Sequence, residues 1–490
     1  MRRWLIALVV SVPALAGAAP SDSGDNTVWY RITIAGGATI GYSSESIVPT
    51  PDGGRDIVDT QRIQVVAPND RSASAELFSL PGRIDTGARI VRHEDGAGRT
   101  VSVASENQSG GLTTTTQATI AGDSAVLTQT GGGAGARNVT LTLPAGIRFD
   151  SGDGLLAGWD RTKTPRLECD DFNASAMTVE HVVIEPVPGA AQDVLRKRYH
   201  DGTLMSVARL TLDGTGAITV SRQPMFGSDI EIARASREEA TAPHAPYELL
   251  LSTMMKSPYR ILDESLHAHI RYRFAFRDAM AFALPGTGEQ RVAADADGAT
   301  VDICPDCGDG LPTDPAYLAD ALKPTVWLQS DAPEILALAQ DIARDRAASD
   351  TRKMDLLRAK TQHLLPKVDF IGHYSALEAL KRHGGDCTES AALLAALGRA
   401  AGIPTRVVNG LVYSRERYHG VSNVFLPHSW VVAYVDGHWR SFDAALGSFD
   451  DTHIALNVND GDDRSAFAAI QLAGVLEWTA MQEVRTRPAG

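Results

Sequence analysis

Gly384-Gly385-Asp386-Cys387-Thr388-Glu389-Ser390, running into Ala391-Ala392-Leu393-Leu394, decides how the second half of this chain folds. Gly385 provides a turn, and the apolar run behind it predicts a helix from Cys387 to about Ala401. Gly402 and Pro404 stop that helix. Cys387 therefore falls on its first turn. A helix start presents N–H groups without intrahelical acceptors and a partial positive charge, and both favour a thiolate. The same N–H groups suit the oxyanion of an attacked acyl carbon. An isolated cysteine on a helix face is more often a small buried residue, so the weight rests on its partners.

The partners come from a hairpin. His428, Trp430, Val432 and Tyr434 alternate on one strand face, and Asp436-Gly437 is a strong signal for a two-residue turn. If that turn closes, Val435 opposes His438 and the same register sets Trp430 opposite Asp443. His428 is then the diagonal, same-face neighbour of Asp443. A thiol nucleophile needs such a pair: His428 to take its proton, Asp443 to fix the imidazole's tautomer and orientation. Taken singly, His428 reads as a surface strand histidine and Asp443 as a strand-end turn residue. Taken with Cys387, the three make a catalytic constellation.

Around these residues the periodicity is helical, then extended. Ser330 or Asp331 is expected to cap a helix with Pro333 in its first turn, followed by helices over 353–365 and 375–381. Strands are expected over 405–413, 429–435 and 438–442. Residues from about 27 to 300 read instead as alternating strands and turns, among them Trp29 to Ile34, Gln61 to Val66, Asn138 to Leu143 and the run from Leu266 to Phe274. Such strands suggest a large antiparallel sheet, curved or closed. Ala191 to Arg198 suggests a short helix. The Gly- and Pro-rich stretch 308–324 reads as a linker. The expected division is thus a signal peptide over 1–18, a β-rich region over 19–307, a linker over 308–324 and an α+β domain over 325–490. The β-rich region is one sheet domain or two, with any inner boundary near 245–265.

Gly385-Asp386-Cys387-Thr388-Glu389-Ser390, Ala400-Ala401-Gly402-Ile403-Pro404-Thr405-Arg406-Val407-Val408-Asn409-Gly410, His428-Ser429-Trp430 and Trp439-Arg440-Ser441-Phe442-Asp443, in that order, resemble the bacterial transglutaminase-like family. The resemblance covers roughly residues 330–450. It implies a papain-like fold, with helices packed on an antiparallel sheet and the nucleophile at a helix start. By motif match Cys387 is the nucleophile, His428 the general base and Asp443 its orienting partner. The family's further transition-state donor has no clear match; Tyr374 and Gln362 are candidates outside the catalytic set. Trp29-Tyr30 through Ile40-Gly41-Tyr42 is similar, with little specificity, to β-rich regions that precede such domains in secreted bacterial proteins. Such a region would gate or position a substrate, or dock on a partner.

The whole composition agrees with an ordinary globular protein. The 490 residues are 43% hydrophobic and 22% charged, which excludes disorder as the dominant state. The net charge of −14 comes without a basic stripe, which disfavours nucleic acid as a partner. Arg2 and Arg3, the apolar run Trp4 to Ala16 and the small residues Ala16 to Ala19 read as a signal peptide cut after Ala18. The mature protein is then exported, periplasmic or secreted, with no later stretch apolar enough for a membrane span. Four cysteines are too few for a disulfide framework. Cys304-Pro305-Asp306-Cys307 reads first as a local disulfide, since a zinc site would need a second pair and a redox motif would need a helix start. Cys169 is then unpaired and buried. His267 and His269 share a strand face that Arg271 and Arg273 continue, so they read as a wet face rather than metal ligands. His383 ends a helix or lines the site, and Gly131-Gly132-Gly133 is a hairpin tip.

These readings converge on an exported cysteine-dependent acyl-transfer enzyme acting on amide bonds of a protein or peptide substrate, with no metal or organic cofactor. Hydrolysis is slightly favoured over transamidation, because transamidation needs an acceptor site shielded from water. The alternative is a non-catalytic binding module of the cell envelope. The oligomeric state is left open.

Overall fold

The computed structural model describes residues 27–484 apart from 35–36, 67–82, 110–111, 132–135, 226, 246, 249–253, 296, 368–372 and 416–421. The expected signal peptide, and Gly132-Gly133 of the glycine run, lie outside the described residues. The chain divides into two units, Met1–Ser252 and Thr253–Gly490.

The first unit is built on one large antiparallel sheet. Its strands are β1 (Thr27–Ile34), β2 (Ala38–Pro49), β3 (Arg55–Val66), β4 (Arg83–Glu94), β5 (Thr100–Ser109), β6 (Leu112–Ala121), β7 (Ser124–Gly131), β8 (Arg137–Thr142), β9 (Leu167–Asn173), β10 (Thr178–Pro186), β11 (Asp193–His200), β12 (Thr203–Leu212), β13 (Ile218–Met225) and β14 (Ser228–Ala235). In space they run from β8 down to β1, then from β14 down to β9. The sheet is therefore two meanders joined where β1 pairs with β14. The two ends of this order pack on one core: Val103, Ala118 and Leu127 meet Phe172 and Met177. A short strand, Tyr247–Glu248, runs parallel to the end of β3.

β11 lies where a helix was expected. The misreading has a physical source: the strand's buried positions include arginines. Arg196 is held by Asp153 at 2.6 Å, and Arg198 by Glu180 at 2.6 Å and Asp171 at 2.7 Å. Paired charges facing inward hide the apolar alternation that marks a strand. Cys169, on β9, is free as expected but only half-buried; burial pushes its thiol up to about 12.

The second unit mixes helices with two antiparallel sheets. The first sheet orders its strands Met255–Lys256, Val424–Val435, Thr405–Ser414 and Ile454–Asn459, with His438–Phe442 also paired to Val424–Val435. The second runs Gln290–Ala294, Gly298–Ile303, Ile270–Phe276 and Leu476–Glu483. The expected boundary at 307 is thereby corrected. Met255 pairs with Phe425, and Ile270 with Glu483, so residues 255–303 share sheets with the C-terminal end. The real division falls at 252/253, inside the window where an inner boundary was expected.

Nor is 308–324 a linker. The Gly308 and Gly310 amides donate to Gly288 and Thr287 at 3.0 Å each. Gly310, at φ +76, leaves room for Trp439, whose ring would lie 3.3 Å from an added Cβ. Leu311 and Ala321 are buried with Trp430 and Trp439, and Asp314 caps a helix over Pro315–Asp320. Gly and Pro here shape a packed corner rather than a free tether.

The central helix, Cys387–Ala400, is buried at every residue from Glu389 to Arg399. It packs against helices Pro333–Arg344, Asp350–Leu364 and Ala376–Arg382 on one side and strand Val424–Val435 on the other. An all-round burial explains its run of Ala and Leu. The three surrounding helices lie where the periodicity placed them. The cap differs at Pro333–Arg344, whose N-cap is Ala332 with no side-chain bond. The strand Ile270–Phe276 has the expected wet face: Ile270, Tyr272 and Phe274 are buried while Arg273 is exposed, and on that face His269 and Arg271 both bond Asp302, at 2.7 and 2.8 Å.

Candidate active site

Asp386 is the N-cap of the central helix and accepts from the Thr388 amide at 2.9 Å, so Cys387 is the first helical residue. Glu389 completes a capping box, accepting from the Asp386 amide at 3.0 Å. Its other oxygen accepts from the Tyr374 amide at 2.9 Å. Glu389 is fully buried; burial and the neighbouring Asp386 charge push its carboxyl well above the usual range. Gly385 leaves space for it, since an added Cβ would lie 2.6 Å from that of Glu389. The sequence reading missed this role of Glu389. Its signal was present: an acid three residues after the cap.

Asp436 and Gly437 both take positive φ, 51° and 91°, as a two-residue hairpin requires. Val435 pairs with His438 and Val431 with Phe442, the register expected from the turn alone. Asp436 also accepts from Thr351 Oγ1 at 2.6 Å and from the Asp350 amide at 3.3 Å, tying the hairpin tip to the start of a helix. Asp443 follows the second strand directly. His428 Nε2 lies 2.8 Å from Asp443 Oδ2, with both residues buried. Strand Thr405–Ser414 places Gly410 opposite His428. An added Cβ there would meet Ile454 O at 2.0 Å and the Trp430 ring at 2.9 Å.

The Asp443 carboxylate is satisfied on every side. Oδ1 accepts from the Ala445 and Leu446 amides at 2.7 and 3.0 Å. Oδ2 accepts from His428 and also from His453 Nε2 at 3.1 Å. Burial alone would raise this carboxyl, but the charge and hydrogen bond of His428, then those of His453, hold it far below the ordinary range.

Cys387 is half-buried. The Ser429 amide, beside His428 on its strand, is aimed at the Cys387 thiol, and the Asp443 charge reaches it too. Burial pushes the thiol well above its ordinary value, the Asp386 charge adds to this, and the Ser429 amide opposes it. The expectation that the helix start lowers this thiol is thus corrected: removal of water outweighs it. The two candidate donors take other places. Tyr374 is buried with Arg382 over its ring at 4.3 Å, and Gln362 is exposed beside Gly447. His383 takes a left-handed conformation, φ 50°, that ends its helix. Cys304 and Cys307 form the expected disulfide.

His453 is the second residue that sequence reading missed. It is fully buried, with Nε2 on Asp443 and Nδ1 3.0 Å from Asp450 Oδ1 and from the Asp450 carbonyl. Burial would lower its affinity for protons, but the two carboxylates raise it to about 10. Nothing in the sequence marks it, because its partner in the site is ten residues back and on another element. His428, Asp443 and His453 bring ligand-type atoms within 4.8 Å of one another. They do not fit a metal well. Nε2 faces Asp443 Oδ2, and Nδ1 is enclosed by Asp450, with its Oδ1 and carbonyl at 3.0 Å and its amide at 3.3 Å, so neither nitrogen is turned to an open ligand position.

Residues 337–444 match the model of the Transglutaminase-like superfamily, so this stretch is a transglutaminase-like domain. A search of curated proteins finds no match. Among solved structures, the chain is similar to a "putative cysteine protease" from Cytophaga hutchinsonii at 16% identity, covering 44% of this chain and 84% of that one, with a TM-score of 0.28. It is also similar to a β-barrel-like protein of a domain of unknown function from Brucella abortus. That likeness has 13% identity, covers 43% of this chain and 96% of that one, and has a TM-score of 0.32.

Proposed function

We propose that the second unit is a cysteine-dependent acyl-transfer enzyme of papain-like build, acting on amide bonds through Cys387, His428 and Asp443. The observation that carries the reading is the 2.8 Å bond between His428 Nε2 and Asp443 Oδ2, on a strand packed against the helix that begins at Cys387. With Nε2–H donated to Asp443, His428 presents Nδ1 as the basic atom. The thiol proton passes to Nδ1 as Sγ attacks the acyl carbon. Asp386 takes the Thr388, Glu389 and Ser390 amides, so the helix-start donor left for the oxyanion is the Cys387 N–H. The tetrahedral intermediate collapses to a thioester, and the amine leaves with the proton from His428. Water then attacks the thioester, with His428 again as base, and releases acid and free thiol. An amine in place of water gives transamidation. Hydrolysis is favoured for an exported protein bathed in water, and the leading sequence, with its arginines, apolar run and small residues, supports export.

The neutral, raised thiol is the observation that would suit the second reading, a binding module that retains the fold. The two separate on one experiment. The mature protein is incubated with a complex peptide mixture, with and without a primary amine, and products are read by mass spectrometry. An enzyme gives cleaved or deamidated peptides, or amine adducts, that vanish with Cys387→Ala. A binding module gives the same peptide profile for both proteins.

A further inference from the structure

His453, which the mechanism does not use, shares a carboxylate oxygen with the proposed base. We infer that His453 is a positioning residue, a permanent imidazolium that occupies Asp443 Oδ2 together with His428 and weakens the hold of Asp443 on a protonated His428. The inference rests on the catalytic reading for its meaning, but not for its test.

His453 has no exposed surface, so its ring protons must be met inside the protein. Nε2 lies 3.1 Å from Asp443 Oδ2, and Nδ1 lies 3.0 Å from Asp450 Oδ1. The Asp450 amide also lies 3.3 Å from Nδ1, but a neutral ring accepting from it would turn the same lone pair onto the nearer Asp450 Oδ1 and carbonyl, both at 3.0 Å, whereas an imidazolium donates to both carboxylates. Trp430 and Phe449 wall the ring, with centroids 5.1 and 4.6 Å away. The charged and titratable groups around it are Asp443, Asp450 and His428, with Asp451 near enough to feel its charge.

In a triad without a fourth member, the carboxylate's full charge stabilises the imidazolium that forms on the base. Here the two imidazole rings lie 5.6 Å apart, on the same oxygen. A fixed positive charge at that distance opposes a second one on His428. The ion pair of a Cys387 thiolate with a protonated His428 is thereby disfavoured, in the same direction as the burial that raises the Cys387 thiol. His453 also restricts Asp443 to one orientation, since Oδ1 is held by two amides and Oδ2 by two rings.

The test is histidine NMR on the full mature chain labelled at ring carbons and nitrogens, in a Cys387→Ala background so that the thiol does not titrate. Signals are assigned by His428→Gln and His453→Gln. Asp451 is pushed up to about 7 by burial and by Asp450 and titrates in the same window, so Asp451→Asn serves as a control. The expected result is that both His453 nitrogens stay protonated from pH 5 to 8.5. His453→Gln should then raise the His428 midpoint by about one unit, a tenfold change in proton affinity. If His453→Gln fails to fold, Asp450→Asn tests the same point: His453 should begin to titrate in this range and His428 should rise as it loses its proton. A neutral His453 in the unsubstituted site overturns the inference. So does a His428 midpoint that stays put or falls when the His453 charge is removed, which is what a merely structural His453 would give. Failure of the peptide experiment, by contrast, would remove the enzyme reading and leave these titrations unchanged.

Discussion

Asp443 is the residue on which the site turns, because four donors converge on its two oxygens. Asp443→Ala leaves Nε2–H of the buried His453, the His428 ring N–H and two amides without their acceptor. The expected cost is about 3–5 kcal/mol, read as a lowered urea midpoint, together with loss of acyl transfer. His453 makes a separate prediction through its raised proton affinity. Its folded value of about 10 exceeds the ordinary 6.5, so its protonation favours the folded state. That contribution is full below pH 6.5 and disappears as pH rises through about 10. Urea midpoints should therefore fall across this alkaline window, and His453→Gln should flatten the fall. The placement of Cys387, His428 and Asp443 was legible in the sequence, since each sits in a local pattern: a helix start, a strand face and a register fixed by a two-residue turn. His453 was not, because a bond between elements leaves no periodic trace.

At the scale of elements, the hairpin over Val424–Phe442 carries the geometry from sequence to site. Its turn chose the register, the register chose Asp443, and the tip is locked onto the helix Asp350–Leu364 through Asp436. Asp436→Ala forces a positive φ on a residue that resists it and removes a helix cap. It should cost about 1–3 kcal/mol in urea unfolding, and slow acyl transfer less than Asp443→Ala does. The central helix was equally readable, from Gly385 to Gly402, because burial on all sides wrote an uninterrupted apolar run. β11 shows the opposite case. Its inward arginines are paired by acids on neighbouring elements, so polarity no longer reported which face was inside.

For the whole molecule, the sequence conveyed the order of architectures but misplaced the seam between them. Gly- and Pro-rich composition marked 308–324 as a tether, whereas those glycines permit close approach to Trp439 and to the Gly288 and Thr287 carbonyls. Residues 253–307 look like the β-rich region that precedes them, yet their strands complete sheets of the second unit. A fragment spanning 253–490 should therefore melt cooperatively by circular dichroism, while one spanning 325–490 should lack a cooperative transition. Equal, sharp transitions in both would restore the boundary at the supposed linker.

The central claim is that Cys387 attacks acyl carbon with His428 as its base. The direct measurement is intact-protein mass spectrometry of the mature chain mixed rapidly with 4-nitrophenyl acetate at neutral pH, with the modified residue located by peptide mapping. An acetyl thioester should form on Cys387 and then decay by hydrolysis. Its formation should slow by roughly 10²–10⁴-fold in His428→Ala, the range a positioned general base supplies. Acetylation of Cys387 at the same rate in both proteins, or none at Cys387 at all, would contradict the account.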